Sequence, residues 1–393
     1  MSKLQISRSP DLQKLRNEGF DLETRDGHLL VHDVPYVNSS REVKRGVLVS
    51  TLTMAGEVTG PPETHVAMLI GEYPCDAAGV ELDVIRHSGA QQLAPNLHVD
   101  WSFSSKLFGG VSYPDYYEKV TAYVAILEGQ AQALEPTANA RTFPVIRPDA
   151  DDESVFDYLD SASSRAGITM ASAKLGLSRV AIVGLGGTGS YVLDLVAKTW
   201  VREVHLFDGD ILYSHNAFRA PGAASAQELT TKPKKVAYFR GIYSKQRTGV
   251  IDHPYSIDAT NVQELSGMDF VFLCIDGGDA KKLIVEQLEA MGIPFIDIGM
   301  GVELVDDTVG GIVRVTASLP DHRDHLRSRV SLGEAQTNED YDANIQIADL
   351  NALSATLAII KWKKLFGFYG DQVRELNTSY TIDCNMLLSE DAP

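Results

Sequence analysis

The stretch Arg179-Val-Ala-Ile-Val-Gly-Leu-Gly-Gly-Thr-Gly-Ser190 determines how the second half of this chain folds. An apolar run at 180–183 leads into a loop with four glycines, and apolar residues at helical spacing follow from Tyr191. Glycines let the backbone approach a phosphate, and a helix N-terminus offers free N–H donors and a positive dipole end. The pattern predicts a strand, a loop and a helix that bind a nucleotide through Gly184, Gly186, Gly187 and Gly189. The alternative is a tight strand-to-helix turn without a ligand.

The alternation of apolar strands and helices continues towards the C-terminus. Such alternation is typical of a doubly wound, mainly parallel sheet, so the predicted fold class is α/β and Rossmann-like. A long apolar helix is expected over Asn351–Phe366. The predicted strands are Val180–Val183, Glu203–Phe207, Phe270–Cys274, Pro294–Ile298 and Gly311–Val315, and the helices between them are Tyr191–Thr199, Lys234–Tyr243 and Ala280–Met291.

Acidic and cationic residues follow the second predicted strand. Asp208 lies 19 positions after Gly189, as expected for a carboxylate that accepts hydrogen bonds from ribose hydroxyls, and Asp210 is close by. Asn216, Arg219 and a lysine cluster at 232–235 follow. A dehydrogenase does not need these cations beside a diphosphate, whereas nucleotidyl transfer does, because charge accumulates on the α-phosphate and pyrophosphate must leave.

The third strand of this half also ends in carboxylates. Asp276 follows Phe270–Cys274 at the sheet edge where such folds bind ligands, and a carboxylate there suits Mg²⁺. The alternative role for an acidic residue here is to cap the following helix, for which Asp279 is better placed.

These motifs, in this order, resemble the E1-like ThiF/MoeB adenylyltransferase superfamily over roughly 165–367, about half the chain. The resemblance implies that Asp208 binds ribose, that Asn216 and Arg219 contact phosphate, and that Asp276 is associated with Mg²⁺. The catalytic lysine is expected within the cluster at 232–235, with Lys235 favoured and Lys234 next. An arginine that reaches the ATP γ-phosphate, often in the partner subunit, would correspond to Arg165, whose alternative is a solvated helix residue.

The resemblance also implies an activity and partners. Members use ATP and Mg²⁺ to adenylate the C-terminal carboxylate of a ubiquitin-like protein, and they are commonly homodimers. An E2-like conjugating protein is the expected acceptor, as in bacterial ubiquitin-like conjugation operons that join a domain of unknown function to a ThiF-like domain. Whether the product serves conjugation or sulfur transfer stays open.

Cysteine usage departs from the family. Many relatives hold a structural zinc with paired CxxC motifs, which this chain lacks, so we expect no structural zinc. The crossover loop, at Leu319–Asn344, has no cysteine, which excludes an E1 thioester at the usual place. Cys75, Cys274 and Cys384 are weak nucleophile candidates, since the first and last lie beside aspartates and Cys274 lies in an apolar strand. Direct attack on the acyl-adenylate by a partner's nucleophile is therefore expected.

The first part of the chain is predicted to be a separate α+β domain. A helix at Pro10–Asn17, short strand-like segments at His28–Val34, Gly46–Thr53, His65–Ile70 and Val80–Arg86, and a helix within Tyr113–Leu134 precede the linker Thr142–Asp152. The predicted domains are 1–150, which recognises a substrate or partner, and 151–393, which carries the adenylation chemistry.

Composition limits the function classes. The chain has 393 residues and a formal net charge of −18, which argues against binding nucleic acid by bulk charge. No apolar run approaches the roughly 20 residues of a membrane span, and no secretory signal is evident, so a cytoplasmic protein is expected. Two rivals remain: a nicotinamide-dependent (NAD) oxidoreductase, which would leave Arg219 and the lysines unused, and a non-catalytic nucleotide-binding scaffold.

Overall fold

A computed structural model of the chain describes residues 2–148, 154–332 and 345–392. The chain divides into two compact units, Met1–Asp152 and Glu153–Pro393. Each unit has its own hydrophobic core.

The first unit is an antiparallel sheet with helices on one face. The sheet has the order β1-β2-β3-β6-β10-β7, and two small hairpins, β4-β5 and β8-β9, accompany it. Its elements are α1 (Ser2–Arg8), α2 (Pro10–Asn17), β1 (Leu22–Arg25), β2 (His28–Val37), β3 (Val43–Thr51), β4 (Met54–Ala55), β5 (Val58–Thr59), β6 (Val66–Ile70), β7 (Arg86–Ser88), β8 (Gln91–Ala94), β9 (Leu97–Val99), β10 (Trp101–Ser104) and α3 (Tyr116–Leu134).

Helix α3 shows how the sequence specifies this unit. The carboxylate of Asp115 accepts a hydrogen bond of 2.9 Å from the backbone N–H of Glu118, which caps the first turn. Val120, Val124 and Leu127 then recur at helical spacing and are buried against the sheet. The strand expected at Val80–Arg86 is wrong, because that stretch is mostly coil with a 3₁₀ turn at Asp83–Ile85, and β7 begins only at its last residue.

The second unit alternates strands and helices. Its elements are α4 (Ser161–Arg165), α5 (Thr169–Ala173), β11 (Arg179–Val183), α6 (Gly187–Val196), β12 (Glu203–Phe207), α7 (Ser214–Ala217), α8 (Ala226–Thr230), α9 (Lys235–Tyr243), β13 (Val250–His253), β14 (Phe270–Leu273), α10 (Asp279–Ala290), β15 (Phe295–Val305), β16 (Thr308–Ser318), α11 (Leu326–Arg329), α12 (Ala348–Leu365), β17 (Asn377–Thr381) and β18 (Met386–Glu390).

The sheet of this unit has the order β13-β12-β11-β14-β15-β16-β17-β18. The first five strands in that order are parallel, and β16, β17 and β18 extend the sheet in antiparallel fashion. Because β11 pairs with β12 on one side and with β14 on the other, the strand order reverses at β11, and ligands bind at such switch points. The α/β, mainly parallel fold is confirmed.

Two features of the second unit differ from the sequence expectation. Helix α6 begins at Gly187 rather than Tyr191, because the last glycines of the loop form its first turn. The two strands expected at Pro294–Ile298 and Gly311–Val315 form one long antiparallel hairpin, β15 and β16, in which Phe295 pairs with Ser318 and Val305 pairs with Thr308. In the described part of the chain, no helix is both long and apolar enough to cross a membrane.

Candidate active site

The loop between β11 and α6 lies at the switch point and depends on two glycines. Gly184 has a φ of +89°, a conformation that residues with a side chain rarely adopt. Its N–H donates a hydrogen bond of 2.8 Å to the carbonyl of Phe207. A Cβ at Gly189 would lie 1.8 Å from the carbonyl oxygen of Gly184. The loop therefore folds back against the first turn of α6 so closely that only glycine fits at 189.

Asp208 fixes this loop to the next strand. One carboxylate oxygen accepts the N–H of Leu185 at 2.7 Å, and the other accepts the N–H of Asp210 at 2.8 Å. The Lys235 ammonium lies 3.5 Å from Asp208 and 2.7 Å from Asp210. Asp208 thus organises the loop, and its carboxylate is buried to 8% exposure while still lining a cavity.

A cavity of about 210 Å³ opens beside the glycine loop at the carboxyl ends of the parallel strands. The residues that line it include the glycine loop, the segments after β12 and β14, and Arg219 and Lys235. They are Gly184, Gly186, Gly187, Thr188, Asp208, Asp210, Arg219, Lys235, Cys274, Ile275, Asp276, Ile298, Met300 and Gln346.

Two polar atoms at this cavity are buried without a partner among the described residues: Nε of Arg219 and Oε1 of Gln346. A buried donor without a partner costs about 1–3 kcal/mol, so the site favours a ligand that supplies an acceptor. Arg219 therefore fits an anionic group such as a phosphate.

The lysine cluster separates into two environments. Lys235 is 6% exposed, opens α9 and points its ammonium at the cavity carboxylates. Lys234 is exposed and donates to the carbonyl of Gly209, and it does not line the cavity. Of these two lysines, only Lys235 lines the cavity.

Asp276 is exposed and lines the cavity directly after β14. No group of three or more histidine, cysteine or acidic side chains in the described residues could hold a metal ion by itself. Mg²⁺ commonly uses one or two carboxylates together with substrate phosphates and water, and Asp276 beside a phosphate-sized cavity fits that arrangement.

Besides Gly189 and Lys234, three predicted residues lie outside the cavity lining. The side-chain oxygen of Asn216 accepts the N–H of Tyr213 at 2.9 Å within α7, and Asn216 does not line the cavity. Arg165 is exposed at the end of α4 and also lies outside the cavity lining. Asp279 is the first residue of α10, whose cap position is occupied by Gly278, so the expected capping role for Asp279 is wrong.

The cysteines differ in accessibility. Cys274 lines the cavity, and burial raises the pKa of its thiol strongly, which disfavours the thiolate. Cys75, expected on a loop, is 1% exposed, and burial raises its thiol pKa too. Cys384 is exposed between β17 and β18.

The basic residues of the expected crossover loop are held in place where they are described. The side chain of His325 hydrogen-bonds the carbonyl of Ala317 at 2.8 Å, and Arg327 donates to Glu289 at 2.6 Å. Both side chains are therefore held against the rest of this unit. The remainder of the crossover loop, at 333–344, lies outside the described residues.

Sequence reasoning missed Gln346 and the residues of a second cavity, described below, two of whose lining cations pair with the buried Asp297. Its signal was visible: Asp297 interrupts the apolar run Phe295–Ile298 in a strand predicted to be buried. A carboxylate in such a strand requires a partner.

Comparison with known protein families divides the chain in two. Residues 162–350 match the ThiF family, and residues 10–161 match a domain of unknown function, DUF6791. No curated protein matches the sequence significantly.

Several solved structures resemble the chain distantly. The E. coli enzyme MccB crystallised with MccA-N7isoAsn is 18% identical, with a TM-score of 0.45 over 58% of this chain and 67% of that one. PaaA is 17% identical, with a TM-score of 0.46 over 73% of this chain and 87% of that one. E. coli MccB with ATP is 17% identical, with a TM-score of 0.44 over 58% and 67%.

Proposed function

We propose that this chain, whose residues 162–350 match the ThiF family, is an E1-like, ATP- and Mg²⁺-dependent activating enzyme. It adenylates the C-terminal carboxylate of a ubiquitin-like protein and passes the acyl group to an E2-like partner. The observation that carries the proposal is the buried, unpartnered Nε of Arg219 beside a glycine loop at the sheet's switch point.

The reaction joins a carboxylate oxygen to the α-phosphorus of ATP and breaks the bond from that phosphorus to the pyrophosphate oxygen. The products are an acyl-adenylate and pyrophosphate. Backbone N–H groups around Gly186 and Gly187 bind phosphate oxygens. Lys235 and Arg219 offset the negative charge that develops on the α-phosphate and the leaving group. Asp276 would hold Mg²⁺ together with the phosphates, and the ion would supply further neutralisation of their charge.

Asp208 acts in this scheme as a positioning residue as well as a candidate ribose ligand. Its two oxygens already hold the N–H groups of Leu185 and Asp210, so the glycine loop is organised before a nucleotide arrives. Because these N–H donors are already in position, the loop needs little rearrangement during the reaction.

The acyl group is expected to leave the adenylate by direct attack. The two cysteines with raised thiol pKa values, Cys75 and Cys274, are poor nucleophiles at neutral pH. A nucleophile on an E2-like or sulfur-carrying partner would complete the transfer, and a homodimer would bring Arg165 of one subunit to the phosphates of the other.

The test is ATP–pyrophosphate exchange with purified full-length protein, Mg²⁺ and the ubiquitin-fold protein encoded beside it. We expect exchange that requires the carrier's terminal carboxylate and that falls at least about 100-fold in Arg219→Ala and Asp276→Ala. Asp279→Ala is the matched control, since it removes a neighbouring carboxylate outside the cavity lining.

Other outcomes identify the rivals. ATP binding that survives Asp276→Ala, without any exchange, indicates a nucleotide-binding scaffold. Binding of NADH in place of ATP, with oxidation followed by absorbance, indicates an oxidoreductase.

A further inference from the structure

A second cavity of about 490 Å³ adjoins the nucleotide cavity. The two share Ile275 and Asp276, which follow β14, and Ile298 and Met300, which lie within β15. A substrate whose carboxylate reacts in the first cavity therefore extends its preceding residues into the second.

The wall of the second cavity carries a buried group of three charges. Asp297 is fully buried, and its two oxygens lie 2.5 Å from the ammonium of Lys281 and 2.8 Å from the guanidinium of Arg314. Two cations share one carboxylate, so the group retains one positive charge. Arg314 is the more exposed cation and the side on which this charge meets the cavity.

Another arginine in the lining has no such surplus. Arg329 lies 3.1 Å from Glu390 and 2.8 Å from Asp391, so two carboxylates neutralise it. Asp276 and the Arg329 group are the acidic parts of this lining, so its positive charge is local to Arg314 and Lys281.

Gly299 positions Arg314. The two residues pair directly across β15 and β16, and a Cβ at Gly299 would lie 2.6 Å from Nη2 of Arg314. The absence of a side chain at 299 lets the guanidinium lie flat over the strand and reach Asp297. A larger residue would push the guanidinium away from the carboxylate.

The strand itself offers a track for an extended chain. β14 pairs with β15 only as far as Asp297, whereas β15 continues to Val305. Beyond Asp297, this edge of β15 has no strand partner in the described residues. Its backbone groups can pair with an added strand. Ile298 and Met300 line both cavities, while Gly299 lines only the second, so the edge runs between them.

We propose that Arg314 determines substrate specificity: the acyl substrate is an extended peptide tail that carries an acidic side chain within three residues of its reacting carboxylate. The inference rests on the proposed function. The tail pairs with the open edge of β15, its terminus enters the nucleotide cavity, and the side-chain carboxylate forms a charge-assisted pair with Arg314 in the second cavity. A neutral amide of the same shape cannot form this charge-assisted pair with Arg314.

The test compares matched peptides by calorimetry on the full-length protein, with the α,β-methylene analogue of ATP present. The probes are acetyl-Ala-Glu-Gly and acetyl-Glu-Ala-Gly, each against the peptide with Gln in place of Glu. We expect the acidic peptide to bind at least about tenfold more tightly at one of the two positions. The preference should fall below about twofold in Arg314→Gln and should persist in the matched control Arg327→Gln, whose side chain lies outside both cavity linings.

A preference below twofold at both positions, a preference that survives Arg314→Gln, or no binding of any peptide at about 10 mM would overturn the proposal. If Arg314→Gln does not fold, Arg314→Lys keeps the charge opposite Asp297 and should retain a reduced preference. Pyrophosphate exchange with the same peptides tests the adenylation separately: selective binding without exchange contradicts the proposed function alone, and exchange without selectivity contradicts this inference alone.

Discussion

Substitution of Gly189 by alanine should damage the nucleotide site through the backbone alone. The added Cβ would lie 1.8 Å from the carbonyl oxygen of Gly184 and 3.2 Å from Cβ of Cys274. Real Cβ contacts essentially never fall under 3.0 Å, so the loop and α6 must separate by about 1 Å or more. Overpacking of this kind costs about 1–3 kcal/mol or more, against about 1 kcal/mol that alanine contributes to a helix, so we expect a net loss of about 2 kcal/mol.

Hydrogen–deuterium exchange of the α6 amides, at 187–196, measures this loss where it occurs. A loss of about 2 kcal/mol corresponds to roughly 30-fold faster exchange through local opening. ATP affinity, measured by calorimetry, should fall at least about tenfold, because the displaced loop no longer presents its N–H groups to the phosphates.

The matched control is Gly241→Ala in α9. No atom lies within 4 Å of a Cβ at Gly241, so the same substitution should stabilise that helix by about 0.5–1 kcal/mol and leave ATP affinity unchanged. If Gly189→Ala behaves like Gly241→Ala in both measurements, the close approach of the loop to α6 is not what requires glycine there, and the reasoning is wrong.

Three further predictions follow from buried charges. Lys235→Ala should reduce pyrophosphate exchange at least about 100-fold while Lys234→Ala stays within about threefold, because only Lys235 lines the cavity; equal losses would contradict this assignment. Asp297→Asn should lower the free energy of unfolding of the second unit by about 3–5 kcal/mol, since it leaves the buried Lys281 and the partly buried Arg314 without their shared carboxylate; an unchanged melting temperature would argue against this charge group. Burial lowers the pKa of Lys119 to about 8 from its usual 10.5, so between these two values the unfolded chain binds more protons than the folded one. The free energy of unfolding in urea should therefore rise by about 1 kcal/mol between pH 8 and 9, relative to that of Lys119→Met. Parallel pH profiles of the two proteins would contradict this prediction.

The sequence predicted the site best where chemistry and backbone geometry coincide. The glycine loop, Asp208 and Asp276 each follow a buried strand, and carboxyl ends of parallel strands meet at one edge of a sheet. Six of the predicted polar and glycine positions could therefore be placed without coordinates, and the structure brings Gly184, Gly186, Gly187, Asp208, Asp210 and Asp276 to one cavity.

Side-chain roles were harder to predict. Asn216 and Arg219 are three positions apart, yet the first caps α7 and the second lines the cavity. The sequence pattern of so short a segment does not reveal which polar side chain faces the cavity. The same kinds of polar group can cap a helix or bind a ligand.

The second cavity depended on long-range pairing. Lys281, Asp297 and Arg314 lie on α10, β15 and β16, and no local pattern shows that the last two strands form one hairpin with Gly299 opposite Arg314. The register of an antiparallel pair is decided by tertiary packing, so the three charges meet only in the folded chain.

The amino-acid sequence by itself therefore determined the strand–loop–helix unit, the mainly parallel character of the sheet and the carboxylates at its edge, because these follow from local periodicity and from glycine. Only the tertiary structure decided which lysine and which polar side chains line the cavity, which cysteines are buried, and that two cations share Asp297. Those properties depend on burial and on contacts between residues far apart in the chain, which are set when the core packs.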